Sequence, residues 1–224
     1  MREGLKPLWK TILIAVVAAL GFSACSTGPH KAHNKGVYML IDTSGTYTKE
    51  LEKAQQIINY TLAKLNSGDS FVVASIDTGS FSEKDIIAKV TFDDRPSKAN
   101  QQKRAFQLQV NNYVKSVKSS PYTDITGGLL QAIEYLNERD TRTKTVMIFS
   151  DLKQELKKGY IRDIPLALDG FDVVALNVTK LRSDNIDPRE YMDRLKLWKN
   201  RVEEGAGKWD VINDLERLDK LIKE

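Results

Sequence analysis

The chain has 224 residues, of which 41% are hydrophobic and 29% are charged, values that suit one globular domain of moderate size. Its net charge of +4 includes a short basic segment before Cys25, and the rest of the chain is close to neutral. Because nucleic-acid binding requires basic residues gathered on one face, this balance does not predict a nucleic-acid partner.

The first 25 residues have the pattern of a targeting segment. Arg2, Lys6 and Lys10 precede the uncharged run TILIAVVAALGFSA, which ends at Cys25. This run is shorter than the ~20 apolar residues that a membrane-spanning helix needs. The sequence FSAC resembles the lipobox of bacterial lipoproteins, in which the cysteine carries the lipid. An uncleaved membrane anchor and a secretory peptide cut near Ala24 are the alternatives, and all three predict that the rest of the chain lies outside the cytoplasm.

The lipobox resemblance implies a signal peptide over residues 1–25 and a lipidated Cys25 that anchors the chain in a membrane. In lipoproteins of Gram-negative type, a serine after the cysteine usually implies transfer to the outer membrane, and Ser26 stands at that position. The expected location is therefore the bacterial cell envelope, on the periplasmic face of the outer membrane. Since Cys25 is the only cysteine, we expect the folded part to contain no disulfide.

Residues 26–35 are polar and predict a flexible tether between the lipid and the domain. His30 and His33, the only histidines in the chain, lie here beside Gly and Pro, which favour a coil over a metal-binding helix. A domain that contains neither histidine nor cysteine cannot use a Ser–His–Asp or Cys–His mechanism. It also cannot hold zinc through the usual ligands.

Residues 36–224 alternate between strand-like and helix-like segments and read as one domain. Short apolar runs predict strands at 36–42, 69–77, 86–93, 144–151 and 171–179, with a further edge strand at 209–214. Helical spacing of apolar residues predicts helices at 48–66, 97–117, 124–140, 187–207 and 215–224. This alternation predicts an α/β fold with a doubly wound, mostly parallel sheet of about six strands and helices on both faces.

Polar side chains follow two of the predicted strands and precede one predicted helix. Asp42 ends the first strand, Asp151 ends the run VMIFSD, and Thr123 lies in the loop SSPYTDIT before a helix. Ligands of such sheets bind at the carboxyl ends of the strands, so we expect Asp42, Ser44, Thr46, Thr123 and Asp151 at one edge. All five supply oxygen, which is the donor that a hard divalent cation prefers.

Three motifs carry a resemblance to von Willebrand factor A domains. The run Asp42-Thr43-Ser44-Gly45-Thr46 resembles the D-x-S-x-S/T signature of that family, TDITGGLLQAI is similar to its second metal loop, and VMIFSD resembles its third. The order and separations of the motifs agree with the family over residues 36–214. The resemblance implies the family's fold and a metal-ion-dependent adhesion site made by Asp42, Ser44, Thr46, Thr123 and Asp151.

The resemblance also implies a ligand and a partner for this site. The ion would be Mg²⁺, or Mn²⁺ or Ca²⁺ in its place, and its open coordination position would attract an acidic residue of a protein partner. Thr46 stands where serine is commoner and keeps the hydroxyl. Tyr47 stands where methionine is frequent in the family, and we expect it to affect access to the site.

Other interpretations of these residues remain open. Ser44, Thr46 or Thr48 could cap the first helix, and Thr123 or Asp124 could cap another. A Mg²⁺-dependent phosphohydrolase of the haloacid dehalogenase type would need D-x-D, but a serine stands at position 44, and the chain has neither common phosphate-binding glycine motif. A structural lipoprotein scaffold without metal is a further alternative. The sequence favours a metal-dependent binding protein that is not an enzyme.

Overall fold

The computed structural model describes residues 34–77, 82–139, 141–181 and 183–214. The described strands are β1 (Lys35–Ile41), β2 (Ser70–Ser75), β3 (Ile86–Thr91), β4 (Thr143–Phe149), β5 (Phe171–Leu176) and β6 (Lys208–Ile212). The described α-helices are α1 (Leu51–Lys64), α2 (Pro96–Ser116), α3 (Ile125–Glu138) and α4 (Pro188–Glu204), and a 3₁₀ helix, Gly45–Glu50, precedes α1. The predicted signal peptide, Cys25, the tether up to residue 33 and the predicted helix at 215–224 lie outside the described residues.

The six strands form one sheet in the order β3-β2-β1-β4-β5-β6. All neighbouring pairs are parallel except β2 with β3, which is an antiparallel pair at one edge. The predicted fold class is confirmed, including the edge strand at the C-terminal end. The register pairs Ile41 with Phe149, which are the last residues of β1 and β4. The two strands therefore end side by side, and the residues that follow them leave the same edge of the sheet at adjacent positions.

Helices cover both faces of the sheet and divide the core in two. Alternate residues of β1 point to opposite sides: Met39 packs with residues of α1 and α2, whereas Leu40 packs with residues of α3 and α4. Both residues are fully buried. The apolar residues on both faces of the central strands therefore reflect a sheet that is covered on each side, as expected for parallel strands.

Helix α3 packs closely against the sheet at Gly128. A Cβ atom at Gly128 would lie 2.7 Å from a side-chain carbon of Ile76 and 2.9 Å from one of Leu40, so only glycine fits without a shift. The first turn of α3 is consequently pressed against the ends of β1 and β2. The backbone N–H of Asp124 donates to the carbonyl of Ile76 at 2.7 Å, which holds the loop that carries Thr123 just beyond the carboxyl end of β2.

The connection from β4 to β5 contains no helix, although parallel strands are usually joined by one. We call residues 150–170 the β4–β5 segment. It covers the core on the α3 and α4 side with Leu152, Leu166 and Leu168, all of which are buried. Within the described ranges, no helix is both long enough and apolar enough to cross a membrane.

Candidate metal site

Asp42 is the central carboxylate of the candidate site. It directly follows β1, its backbone N–H donates to the carbonyl of Phe149 at 2.9 Å, and its side chain is fully buried. Oδ1 accepts a hydrogen bond from the backbone N–H of Ser44 at 2.8 Å, and Oδ2 accepts one from the hydroxyl of Ser150 at 2.7 Å. These donors are neutral, so they orient the carboxylate without balancing its charge.

Thr123 is brought to Asp42 by the β4–β5 segment as well as by α3. Its backbone N–H donates to the carbonyl of Glu155 at 2.8 Å, and the N–H of Glu155 donates back at 2.9 Å. The side chain of Thr123 is buried, and its hydroxyl lies 3.4 Å from Oδ1 of Asp42. This long hydrogen bond places a hydroxyl oxygen and a carboxylate oxygen side by side, as the sequence predicted.

Asp151 supplies the second carboxylate, from the strand next to β1. It lies just beyond β4 and is 8% exposed, and its Oδ1 accepts a hydrogen bond from the backbone N–H of Lys153 at 2.8 Å. The carbonyl of Asp151 accepts a hydrogen bond from Nε of Arg194 at 3.2 Å, and the carbonyl of Leu152 accepts one from Trp198 at 2.9 Å. Helix α4 thus holds the turn that presents this carboxylate.

Ser44 and Thr46 lie in the loop between β1 and α1. Ser44 is the residue before the 3₁₀ helix Gly45–Glu50, and its side chain makes no capping hydrogen bond there. Thr46 lies within that 3₁₀ helix, and its side chain is outside the described part of the molecule. Asp124 caps α3 by accepting from the N–H of Gly127 at 2.8 Å. The capping interpretation is therefore wrong for Ser44, while at α3 the capping side chain is Asp124.

The two site carboxylates have raised pKa values. Burial raises the pKa of Asp42, and hydrogen bonds from Ser44, Ser150 and Thr123 oppose that rise. Burial also raises the pKa of Asp151 to about 6, with a further contribution from the negative charge of Asp42 and opposition from the N–H of Lys153 and the charge of Arg194. Two buried carboxylates that disfavour each other's ionised form would both be stabilised by a cation between them.

The donor set fits a hard divalent cation. It combines two carboxylates with the hydroxyls of Ser44 and Thr123, and all of these groups are oxygen donors of the kind that Mg²⁺, Mn²⁺ and Ca²⁺ bind. Within the described ranges, no three or more His, Cys, Asp and Glu side chains are grouped so that they could hold a metal ion, so hydroxyls would have to complete the coordination of any ion held here.

Tyr47 does not control access to this edge of the sheet. Its side chain is 2% exposed, its hydroxyl donates to the carbonyl of Asn177, and its ring meets that of Phe149 edge to face at 5.1 Å between centroids. The prediction that it affects access is wrong because the 3₁₀ helix turns its side chain down into the core.

Ser150 and Asp77 take part in the site region although neither was among the predicted site residues. Ser150 is fully buried and bonds Asp42, and the pairing of β1 with β4 is the signal that could have revealed it. Asp77 follows β2, the other neighbour of β1, and its Oδ2 accepts a hydrogen bond from the hydroxyl of Thr43 at 2.9 Å. Both contacts come from strand order, which the linear sequence does not contain.

Comparison with known proteins identifies the fold. No protein-family model matches the sequence, and no curated protein matches it significantly. The structure is similar to a von Willebrand factor type A protein from Catenulispora acidiphila, with a TM-score of 0.56 and 16% identity over 84% of this chain and 41% of that one. It is also similar to the pilus adhesin SpaC from Lactobacillus rhamnosus GG in its open conformation, with a TM-score of 0.50 and 12% identity over 84% of this chain and 29% of that one.

This chain spans less than half the length of either solved protein. At these identities the similarity shows the fold alone. The chain has an α/β fold of the von Willebrand factor A type, with its three sequence motifs at the carboxyl edge of the sheet.

Proposed function

We propose that this chain is a lipoprotein of the bacterial envelope whose domain binds a protein partner through a divalent cation. Mg²⁺, or Mn²⁺ or Ca²⁺ in its place, would be held by Asp42, Ser44, Thr46, Thr123 and Asp151. The observation that carries the proposal is the pair of buried carboxylates, Asp42 and Asp151, at one edge of the sheet. Within the described residues neither carboxylate forms an ion pair with a basic side chain.

The residues of this chain prepare the site by orienting its oxygens. The N–H of Ser44 and the hydroxyl of Ser150 hold Asp42, and the N–H of Lys153 holds Asp151. When bound, the cation would supply positive charge and an open coordination position that can accept a carboxylate of the partner. None of these residues is assigned the role of a nucleophile or a general acid, so we propose binding without catalysis.

Titration of metal into chelator-treated protein tests the site. We expect saturable heat on addition of Mg²⁺, and of Mn²⁺ and Ca²⁺ in turn, to the full-length chain in detergent. Asp42→Ala should abolish this binding without unfolding the domain, because residue 42 lies just beyond the sheet. Asp187→Asn is the matched control, since Asp187 is an acidic side chain paired with its own arginine, Arg189.

Two results would count against the metal site. Absence of binding by the native chain would favour the scaffold alternative, and partner searches would then be needed with and without metal. If Asp42→Ala unfolded the domain and the native chain showed no metal effect, the assignment of the site would be wrong.

The envelope location rests on the sequence before the domain and is tested separately. We expect labelled palmitate to be incorporated into the native chain and not into a Cys25→Ala variant. Membrane fractionation should place the native chain with outer-membrane markers. Release of the Cys25→Ala variant into the soluble periplasmic fraction would support the anchor, whereas unchanged membrane association would overturn it.

A further inference from the structure

The loop that carries Thr123 is fastened to the β4–β5 segment by side chains as well as by backbone contacts. The amide oxygen of Gln154 accepts a hydrogen bond from the backbone N–H of Thr126 at 2.9 Å and one from its hydroxyl at 2.8 Å. These bonds add to the two backbone hydrogen bonds between Thr123 and Glu155. Residues 154 and 155 therefore hold both Thr123 and the first turn of α3.

Arg162, further along the segment, adds a buried ion pair to these contacts. Its Nε donates to Oδ2 of Asp124 at 2.9 Å, and a terminal guanidinium nitrogen lies 2.8 Å from the same oxygen. The two side chains are 14% and 3% exposed, so water screens this pair little. The other oxygen, Oδ1, accepts from the N–H of Gly127 at 2.8 Å. The carboxylate of Asp124 thus connects the start of α3 to the β4–β5 segment.

Helix capping alone does not explain a charged residue at position 124. Asparagine caps helices as well as aspartate does, and a buried carboxylate costs free energy unless a positive group balances it. Arg162 is the positive group that balances Asp124. The charge at position 124 is therefore explained by its contact with Arg162, which the cap itself does not need.

Arg162 is itself held in place by its neighbours. Arg201 of α4 donates to the carbonyl of Arg162 at 3.3 Å and to the hydroxyl of Thr126 at 2.8 Å. The guanidinium carbon of Arg162 lies 5.7 Å from the centre of the Tyr160 ring, a distance that suits a cation–π contact. Because its backbone and its side chain are both held, Arg162 is a fixed point to which the loop is attached.

The position of Asp124 affects the neighbouring Thr123. The hydroxyl of Thr123 lies 3.4 Å from Oδ1 of Asp42, within the candidate donor set. Mg²⁺ requires near-octahedral geometry, whereas Ca²⁺ accepts about 6–8 oxygen ligands in flexible arrangements. A small displacement of this hydroxyl should therefore weaken the binding of Mg²⁺ more than that of Ca²⁺.

We propose that Arg162 is a positioning residue of the candidate cation site. Through Asp124 it fixes the hydroxyl of Thr123 beside Asp42, and this fixed position favours Mg²⁺ over Ca²⁺. The inference rests on the proposed function and deepens it, since it assigns a residue outside the donor set that controls the affinity and the selectivity for metal.

The double variant Arg162→Met/Asp124→Asn tests the proposal. It leaves no buried charge unpaired, keeps the cap of α3 and does not change the net charge of the chain, so it isolates the effect of geometry. Calorimetric titration of Mg²⁺ and of Ca²⁺ into the full-length chain in detergent gives both dissociation constants.

Two controls accompany the double variant. Arg189→Met/Asp187→Asn removes the same kind of pair from the start of α4, where Arg189 is 84% exposed. Val110→Ala lowers the stability of the domain from the opposite face of the sheet, where Val110 is buried on α2. It shows whether a loss of stability by itself changes metal binding.

We expect the double variant Arg162→Met/Asp124→Asn to weaken Mg²⁺ binding about tenfold, as changes to residues that orient metal ligands do, and to weaken Ca²⁺ binding less. Both controls should leave the ratio of the two dissociation constants unchanged. Unchanged Mg²⁺ affinity in the double variant would overturn the role of Arg162. Equal weakening for both ions, or the same change in Val110→Ala, would indicate a structural role and would also overturn it.

Hydrogen exchange in chelator-treated protein separates this inference from the proposed function. The backbone N–H groups of Thr123 and Glu155 donate to each other's carbonyls, and we expect both to exchange faster in the double variant than in the native chain. Unchanged exchange would overturn the role of Arg162 whether or not metal binds. Absence of metal binding by the native chain would instead contradict the proposed function, and faster exchange in the variant would still support Arg162 as the residue that holds the Thr123 loop.

Discussion

The carboxyl edge of the sheet holds two kinds of buried aspartate, one balanced by arginine and one held only by neutral donors. Both oxygens of Asp184 accept hydrogen bonds from the guanidinium of Arg194, at 2.8 and 2.7 Å, and this contact lowers the pKa of Asp184. Asp42 is just as buried, but its hydrogen bonds come from hydroxyl and backbone N–H groups, and its pKa is raised. The fold therefore gives the carboxylate of Asp184 a positively charged partner, whereas the hydrogen-bond donors to Asp42 are all neutral.

This difference indicates which aspartates hold the structure together and which serve the site. An ion pair such as Asp184 with Arg194 fixes α4 against the turn that carries Asp151, since Arg194 also bonds the carbonyl of Asp151 at 3.2 Å. The cation that we propose would balance the charge of Asp42 and Asp151. Substitutions at these aspartates and at Ser150 test this division.

Asp184→Asn should destabilise the protein most. It keeps the size of the side chain but leaves the guanidinium of Arg194, 13% exposed, without its charged partner. Loss of one member of a buried ion pair costs about 3 kcal/mol, so we expect that decrease in the free energy of unfolding, measured by urea denaturation at pH 7. A decrease no larger than that of a surface substitution would show that the pair is not structural.

Ser150→Ala should affect both stability and metal binding, to a smaller extent. The hydroxyl of Ser150 donates to Asp42 at 2.7 Å and accepts from the N–H of Leu152 at 3.0 Å. Its loss leaves a buried carboxylate oxygen and a buried N–H unsatisfied, at a cost of about 2 kcal/mol. Residues that orient metal ligands typically change affinity at least tenfold, so calorimetry should show Mg²⁺ binding weakened by about that factor. Unchanged Mg²⁺ affinity would mean that Ser150 has no role at the site.

Removal of metal should reveal the raised pKa of Asp151. Because its pKa of about 6 in the folded state lies above the unfolded value, this group favours folding below about pH 4 and loses that contribution as the pH rises through 6. In chelator-treated protein we therefore expect stability to increase by about 1 kcal/mol as the pH falls from 7 to 5. Asp151→Asn should reduce this dependence and leave the part that the raised pKa of Asp42 contributes, and an unchanged dependence in the variant would assign it to groups other than Asp151.

Asp187→Asn should have no measurable effect. Asp187 pairs with Arg189 through a nitrogen–oxygen contact of 2.8 Å, which is about as short as the contact in the buried pair of Asp184 with Arg194. Arg189, however, is 84% exposed. Solvent screens such a pair, and asparagine can still cap α4 by accepting from the N–H of Arg189. Thermal denaturation of Asp187→Asn and Asp184→Asn in parallel would test whether burial, rather than the geometry of the ion pair, explains why the two substitutions differ in their effect on stability. A large loss of stability in Asp187→Asn would contradict this explanation.

Prediction of the site from sequence worked best where a motif and a strand end coincide. Asp42 and Asp151 were placed correctly because both directly follow apolar runs, and parallel strands deliver such residues to one edge. Tyr47 was misplaced because the direction of its side chain depends on a 3₁₀ helix, Gly45–Glu50, that the apolar spacing does not reveal. The arginine partners of Asp124 and Asp184 were not predicted, since Arg162 and Arg194 come from elements whose contacts depend on packing.

Local sequence patterns predict the succession of strands and helices along the chain, the two apolar faces of the sheet and the oxygen-rich ends of β1 and β4. These features follow from local periodicity and from the rule that a two-sided core needs apolar strands. The hydrogen bond from Ser150 to Asp42 and the ion pair of Arg194 with Asp184 are seen only in the tertiary structure. Those outcomes depend on contacts between residues that are far apart in the chain, and local sequence patterns do not specify such contacts.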